Sequence, residues 1–355
     1  MKDDAYFLRQ TFVLADKARG FTSPNPLVGA VIVKGRRVIA RGWHKKCGGP
    51  HAEIEAFRNC RQSCRGATLY LNLEPCCHFG RTPPCVDEVI KQGIKRVVVA
   101  MIDPDPRVNG KSLRKLRQAG IKVTCGVLRD EAQKLNEVFV FNVKHKQPFV
   151  AAKIAQTLDG KIASSAKISR WITSAPSREA AKKLRDKYDC VLVGVNTVVV
   201  DDPGLDGIEK IPFKVIIDPH LRIPRTCRLM KKYADKLIIF TSAKTKVKHI
   251  PRSVQVIGLP ESKGALPVKA ILKGLYALGM MSVFVEGGSD TLGRFFDAGL
   301  VNKMHFFIAP KILGGRQALT SLGGRGFVSP DFCPRLSDTR VERVGADILI
   351  TGYPV

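Results

Sequence analysis

Two unlike α/β domains in one chain are what this sequence predicts, and three observations carry the prediction. The chain has 355 residues, room for about two domains at roughly 100–200 residues each. Strand-like runs alternate with helix-like ones through both halves. The alternation breaks once, at Lys144-His145-Lys146-Gln147-Pro148, and no fixed-period repeat or low-complexity segment relates the two sides. The expected domains are therefore residues 1–145 and 146–355.

In the first half, residues 28–33 and 37–42 are β-rich runs joined through Lys34-Gly35-Arg36, a hairpin signal. Residues 52–60 read as helix, 67–73 alternate like a strand, and 86–92 return to helix. Residues 96–101, Arg-Val-Val-Val-Ala-Met, have the unbroken apolar character of a strand buried on both faces. A helix over 112–119, closed by Gly120, and a strand over 121–125 complete one sheet between helix layers. After the break come a strand at 149–155, a helix at 177–188, and strands at 190–193, 213–218 and 237–241. A helix at 268–278, a strand at 282–285 and a helix at 291–298 follow.

Composition narrows the function classes. With 45% hydrophobic and 25% charged residues the chain is globular rather than disordered. No apolar run approaches the roughly 20 residues of a membrane helix, so no membrane partner is expected. Asp3 and Asp4 stand where a targeting peptide would carry bases, which predicts a cytoplasmic protein. The net charge of +28 suggests nucleic acid, but residues 1–150 hold 27 bases and 13 acids, and the remainder 32 and 18. Each part is thus +14, with no basic tail and no single basic domain. An evenly basic, solvated surface attracts anionic small molecules; it does not specify a polyanion groove.

Six of the ten cysteines fall between Cys47 and Cys85, too tight a cluster for a disulfide framework in a chain this long. Within it stand His51-Ala52-Glu53 at a helix start, then Pro75-Cys76, then Cys85 after Pro83-Pro84. One imidazole and two thiolates make a three-ligand zinc site with a fourth position open to water. Glu53, two residues past the histidine, is placed to shuttle protons rather than to bind metal. This is the His-x-Glu and Pro-Cys pattern of zinc base deaminases, with eight residues between the thiols instead of two. The competing reading is a structural zinc with Cys77 as fourth ligand, which leaves the His-x-Glu order unexplained. Cys60 and Cys64, a helical turn apart, read as packing residues.

A specific resemblance follows. The segments Thr22-Ser23-Pro24-Asn25-Pro26-Leu27-Val28-Gly29, Gly42-Trp43-His44, His51-Ala52-Glu53 and Glu74-Pro75-Cys76-Cys77-His78-Phe79-Gly80-Arg81-Thr82-Pro83-Pro84-Cys85 occur in one order. Together they resemble the RibD family, the bifunctional deaminase/reductases of riboflavin biosynthesis. The resemblance implies a cytidine-deaminase-like α/β/α fold for residues 1–145, one zinc ion per chain, and a phosphorylated pyrimidine as substrate. By the same resemblance Asn25, His44, His78 and Arg81 would contact that substrate, Arg81 near its phosphate. An ordinary surface arginine is the alternative for Arg81, and Cys77 departs from the family's usual serine.

The second half has no Gly-x-Gly-x-x-Gly after its first strand. Ser282-Val283-Phe284-Val285-Glu286 instead runs into Gly287-Gly288-Ser289 and a helix, an arrangement that offers backbone N–H groups to a pyrophosphate. A strand-to-helix turn that binds nothing is the plain alternative. Lys153-Ile154-Ala155-Gln156-Thr157-Leu158-Asp159-Gly160-Lys161-Ile162-Ala163, Ser169-Arg170-Trp171-Ile172-Thr173, Val193-Gly194-Val195-Asn196-Thr197 and Asp201-Asp202-Pro203 with Leu205 resemble the reductase half of the same family. So does Ala309-Pro310-Lys311-Ile312-Leu313-Gly314-Gly315.

That resemblance implies a dihydrofolate-reductase-like α/β fold over 146–355, NADPH as cofactor, and association into homo-oligomers through this domain. Ala155, Trp171, Thr197, Asp201 and the turn Gly288, Ser289, Asp290, Thr291, Leu292, Gly293, Arg294 would hold NADPH. Lys153, Ser169, Arg185, Leu205 and Glu286 would face the ribose phosphate, with Lys153, Asp201 and Glu286 the titratable candidates for proton delivery. A tryptophan in a β-rich run is more often simply core. Ile208 stands where the family usually has an arginine, so Lys210 or Lys214, the nearer being Lys210, would have to replace a phosphate contact.

The expected function is thus zinc-dependent deamination of 2,5-diamino-6-ribosylamino-4(3H)-pyrimidinone 5′-phosphate, then NADPH-dependent reduction of its ribosyl chain to ribityl. Two rivals keep the deaminase. One adds an RNA-binding module, favoured by the charge and opposed by the absence of aromatic RNA-binding motifs. The other makes the second half an oligomerisation scaffold.

Overall fold

Period-two alternation of Val, Ile and Leu builds the first sheet and fills both of its faces. The computed structural model describes residues 2–79, 83–262 and 264–355, which divide into units Met1–Lys146 and Gln147–Val355. In the first unit, helix α1 (Lys2–Asp16) precedes strands β1 (Gly29–Lys34) and β2 (Arg37–Trp43). Their register closes at Lys34 opposite Arg37, leaving Gly35 and Arg36 at φ +55° and +64°, the left-handed pair that a tight hairpin turn requires. Helix α2 (Ala52–Arg58), β3 (Thr68–Leu73), α3 (Cys85–Lys91), β4 (Arg96–Met101), α4 (Lys111–Gln118) and β5 (Lys122–Cys125) follow. Helices α5 (Arg129–Leu135) and α6 (Glu137–His145) close the unit.

The strand order is β2-β1-β3-β4-β5, antiparallel through the hairpin and β3, parallel from β3 to β5. On one face Ile32, Leu69, Leu71, Val97 and Val99 pack with Ala52, Ala56, Val86, Val89, Leu113 and Leu116 of α2, α3 and α4. On the other, Val31, Tyr70, Val98 and Ala100 meet Phe7, Leu8 and Leu14 of α1 and Ala132 of α5. Each fully buried Val, Leu or Ile contributes about 1.5–3 kcal/mol. Gly42 lets β2 and α2 approach: a Cβ there would lie 2.3 Å from the Ala56 nitrogen.

In the second unit, β6 (Phe149–Thr157), β7 (Lys161–Ala163), α7 (Ala175–Arg185), β8 (Cys190–Gly194), α8 (Val195–Asp201), β9 (Phe213–Ile217) and α9 (Arg228–Lys232) come first. Then follow β10 (Leu237–Ser242), β11 (Gln255–Leu259), α10 (Val268–Ala277), β12 (Ser282–Val285), α11 (Ser289–Asp297), β13 (Lys303–Ala309), β14 (Leu319–Thr320), β15 (Leu336–Val344) and β16 (Asp347–Pro354). A nine-stranded sheet has the order β11-β10-β9-β8-β12-β6-β13-β16-β15, parallel as far as β13, with β16 and β15 antiparallel at the edge. Val150, Ile154, Leu192, Val215, Phe240 and Val283 pack against Ile271, Leu275, Leu292 and Phe295 of α10 and α11.

Helix α7 starts at Ala175 rather than the expected 177, because Pro176 sits in the first turn, where no N–H is required. It ends at Arg185, three residues before the expected end, and Asp186 directs its carboxylate to the backbone of residues 208–210. Sequence reasoning identified neither α1, α5 and α6 nor the C-terminal strands from β13 onward. Among the described residues no helix is long and apolar enough to cross a membrane.

Candidate functional site

The starts of α2 and α3 converge on one point of the first unit. His51 is the residue before α2, Cys85 the first residue of α3, and Cys76 lies in the loop leaving β3. Their ligand atoms all lie within 4.8 Å of one another. His51 Nδ1 is 3.2 Å from Cys85 Sγ and 3.6 Å from Cys76 Sγ. A tetrahedral zinc with ordinary bond lengths puts nitrogen and sulfur about 3.6 Å apart, so the donors fit the ion. Cys76 is held down to about 4, first by the Cys85 thiol donating to it and then, against burial, by His51 and the Cys85 N–H. Cys85 is pushed up in return. Cys77 does not join this cluster; its thiol donates toward the Arg107 carbonyl at 3.7 Å.

Glu53, in the first turn of α2, is only 3% exposed, and burial raises its carboxyl to about 7, with the Cys76 thiolate adding to the rise. It lines a cleft of about 480 Å³ together with Asn25, His44, His51, Cys76 and His78. His44 must donate through Nδ1, since its partner at 2.9 Å is the Pro50 carbonyl. Its Nε2 then accepts from the Asn25 amide at 3.1 Å, and burial lowers its pKa, so the ring is neutral. That pairing leaves the Asn25 carbonyl oxygen for a ligand. His78 Nδ1 is buried without a hydrogen-bond partner among the described residues, a vacancy suited to a polar ligand. Arg81 lies outside the described residues.

Several residues that shape this cleft were not singled out from the sequence. Asn136 accepts from the Leu27 N–H at 2.8 Å and donates to its carbonyl at 3.0 Å. Asn72 donates to the same carbonyl at 2.7 Å and accepts from Gly29 N–H at 2.7 Å, so two buried amides fix the segment that carries Asn25. Glu74 accepts from the N–H groups of Asp103, Gly110 and Ser112, at 3.2, 2.8 and 3.1 Å, and so holds the wall made by Asp103, Asp105 and Arg107. Burial raises Asp103 to about 7, and Asp105 and Glu74 add to the rise. The available signal was Asp103-Pro104-Asp105-Pro106 directly after a parallel strand, at the end of the sheet where ligands bind.

A second set of polar side chains gathers at the carboxyl ends of the parallel strands in the other unit. Glu286 follows β12, and its N–H extends the ladder to the Leu192 carbonyl at 3.0 Å. Arg185 Nε and Nη2 donate to its two oxygens at 2.5 and 3.0 Å, and Lys153 Nζ of β6 stands 3.4 Å away. Burial opposes ionisation of Glu286, but Arg185 and Lys153 outweigh it and hold the carboxyl at about 2. Ser169 Oγ donates to Asp201 at 3.1 Å, and Arg170 reaches the same carboxylate at 3.6 Å. Leu205 is buried with φ +56°.

One of the paired glycines, Gly287, has a steric reason. A Cβ on Gly287 would lie 2.4 Å from Thr291 Cβ, and one on Gly194 2.7 Å from Thr291 Oγ1, whereas the space at Gly288, the N-cap of α11, is open. Within residues 288–294, Leu292 is a core residue and Arg294 donates to the Leu266 carbonyl, so the stretch offers a ligand mainly its first backbone N–H groups. Ala155 lies on β6 and Thr197 within α8. Trp171 is not core: it is 62% exposed, with the Arg178 guanidinium 4.3 Å from its ring centroid. Neither lysine expected to replace the missing arginine is free to do so. Lys210 donates to the Tyr188 carbonyl at 3.1 Å, and the fully buried Lys214 bonds Asp206 at 3.1 Å and the Pro212 carbonyl at 2.8 Å.

Comparison with known proteins follows the same division. Residues 1–101 match the family model of the cytidine and deoxycytidylate deaminase zinc-binding region, and residues 148–350 that of the RibD C-terminal domain. The chain is 43% identical over 353 residues to riboflavin biosynthesis protein RibD of Aquifex aeolicus, covering 98% of this chain and 97% of the relative. It is 38% identical to RibD of Actinobacillus pleuropneumoniae, covering 98% and 94%. Among solved structures it resembles the diaminohydroxyphosphoribosylaminopyrimidine deaminase/5-amino-6-(5-phosphoribosylamino)uracil reductase of Thermotoga maritima, at 38% identity and TM-score 0.89, covering 100% and 99%. A RibD structure from Acinetobacter baumannii matches at 33% identity and TM-score 0.90, with the same coverage.

Proposed function

Because the chain belongs to the RibD family of riboflavin biosynthesis, we propose that its two activities divide at the sequence break, deamination within residues 1–145 and reduction within 146–355. The enzyme deaminates a phosphorylated diaminopyrimidinone ribosylamine and reduces the ribosyl chain of the product, with zinc and NADPH as cofactors. The observation that carries the assignment is the trio His51, Cys76 and Cys85 beside the buried acid Glu53, with His51, Cys76 and Glu53 lining one cleft.

His51, Cys76 and Cys85 would hold a zinc ion, which would supply a bound water acidified toward neutral pH. Glu53 would take one proton from the water as it adds at the amino-bearing ring carbon and pass it to a ring nitrogen, then take the second from the resulting hydroxyl as the carbonyl forms and deliver it to the departing amine. His44 and Asn25 orient the ring, neutral imidazole against amide, and His78 and Arg81 face the rest of the nucleotide.

NADPH, when bound, would supply the hydride for the ribosyl C1 carbon. Ala155, Trp171, Thr197, Asp201 and residues 288–294 hold it, and Lys153, Ser169, Arg185, Leu205 and Glu286 face the sugar phosphate. Two of the three titratable candidates, Glu286 and Lys153, separate on charge. A carboxyl held at about 2 is a carboxylate at neutral pH, so Glu286 has no proton to give and instead anchors Arg185 and Lys153. The Lys153 ammonium, 3.4 Å from the Glu286 carboxylate, is the proton-bearing group and would protonate the ribose ring oxygen as the sugar opens. The exposed edge strand β15 supports association of reductase units into a homo-oligomer.

If Trp171 stacks on the cofactor, Trp171→Ala weakens NADPH binding about tenfold or more by calorimetric titration and leaves ammonia release intact. Unchanged NADPH affinity removes Trp171 from the cofactor site.

A further inference from the structure

Lys214 is fully buried, and nothing in the chemistry above uses it. It projects from β9 and donates to Asp206 Oδ1 at 3.1 Å and to the Pro212 carbonyl at 2.8 Å, with its ammonium 4.5 Å from the Tyr233 ring centroid. Tyr233 donates its hydroxyl to the other Asp206 oxygen. Both oxygens of Asp206 are thereby tied down. The main-chain carbonyl of Asp206 accepts from Arg185 Nη1 at 2.9 Å, while Nε and Nη2 of the same guanidinium grip Glu286.

The next residue on α7 holds the other end of the same loop. Asp186 accepts from the N–H groups of Ile208, Glu209 and Lys210, the shortest contacts being 3.0, 3.2 and 2.9 Å. Gly207 has no room for a side chain there, since a Cβ would lie 1.8 Å from Asp186 Oδ1. The loop is thus clamped to α7 by Arg185 and Asp186 and to β9 by Lys214. A planar guanidinium held on three of its five N–H groups has a fixed orientation, and its two remaining donors point where the fork is set.

We propose that Lys214 is a positioning residue of the reductase: by holding Asp206 it sets the Arg185 guanidinium against Glu286 in the orientation that receives the sugar phosphate. Lys214 itself stays within the fold, its ammonium bonded to Asp206 and the Pro212 carbonyl, and acts through Asp206. The inference rests on the assignment of Arg185 to the substrate.

The test uses the full-length, zinc-loaded enzyme, with the deaminated ribosylamino substrate and NADPH. Lys214→Met keeps the stem and removes the charge and its donors. It raises KM for that substrate about tenfold, changes kcat less than about threefold, and leaves NADPH affinity and ammonia release unchanged. Lys214→Arg restores most of the KM. Should the methionine variant fail to fold, Tyr233→Phe removes one donor from Asp206 and carries the same test with a smaller KM rise. An unchanged KM in a folded variant overturns the proposal. So does a parallel loss of substrate affinity, kcat, NADPH affinity and thermal stability, the signature of a purely structural ion pair. Arg185→Ala separates the two levels. If it leaves KM unchanged, the assignment of Arg185 itself fails; if it raises KM while Lys214→Met and Tyr233→Phe do not, only the positioning role falls.

Discussion

Glu53→Gln is expected to cut ammonia release by at least about 100-fold while zinc stays at one ion per chain, since general acid–base groups contribute roughly 10²–10⁴. The substitution keeps the size of the side chain and leaves His51, Cys76 and Cys85 in place, so metal content by atomic absorption checks that the site is intact. What it removes is the proton carrier. A glutamine amide cannot accept a proton from water near neutral pH and return it to an amine. NADPH oxidation with the already deaminated substrate is expected to continue at the parent rate, because Glu53 belongs to the other unit. Ammonia release within tenfold of the parent would assign the shuttle elsewhere, with Asp103 on the cleft wall the next group to test.

Glu286→Ala is expected to abolish reduction and to destabilise the reductase unit together. The carboxylate neutralises Arg185 and Lys153 in a nearly dry setting, its own side chain being 6% exposed. Removing one member of a buried ion pair leaves the others uncompensated, at a cost of about 3–5 kcal/mol. Thermal unfolding of the second unit measures that loss, and NADPH oxidation measures the activity. The acid side of the stability profile gives an independent reading. Glu286 titrates at about 2 in the fold against an ordinary 4.5, so its contribution is complete above about 4.5 and disappears as the pH falls through 2. The parent enzyme is expected to lose stability over that interval, and Glu286→Ala to lose less. Equal slopes for the two would mean that the pair does not hold the carboxyl down.

The zinc site was legible in the sequence because each ligand has distinctive neighbours: His51 stands just before α2, Cys76 follows Pro75 in the loop leaving β3, and Cys85 opens α3 after two prolines. The parallel strands were legible for a similar reason: a run such as Val97-Val98-Val99-Ala100 is buried on both faces and needs no partner to be recognised. What escaped depends on distant partners. Asn136 fixes Leu27 across 109 positions and Arg185 meets Glu286 across 101, so neither role shows in local pattern. Helix α1 was missed because its apolar residues do not keep to one face; Tyr6 and Val13 are more than 60% exposed while Phe7, Leu8 and Leu14 are core. Strand β15 was missed because, lying at the sheet edge, six consecutive residues from Asp338 to Arg343 are exposed and the period-two signal vanishes.

Lys210 and Lys214 show the limit of spacing as an argument. Both lie close in sequence to Ile208, yet each is committed to partners inside the fold, the first to the Tyr188 carbonyl and the second to Asp206. Proximity along the chain offered a replacement phosphate contact that the packing assigns to other work. The charge of +28 is likewise not concentrated at either site, and a few phosphate-facing groups account for only part of it.

The central claim, two successive reactions by two units of one chain, is tested most directly by following ammonia and NADPH in one sample. Zinc-loaded enzyme given the diaminopyrimidinone ribosylamine phosphate and NADPH is expected to release one ammonia and oxidise one NADPH per substrate, with oxidation lagging behind release. In Glu53→Gln both signals should vanish, and added deaminated substrate should restore NADPH oxidation alone. Failure to release ammonia, or NADPH oxidation by Glu53→Gln at the parent rate without prior deamination, would contradict it.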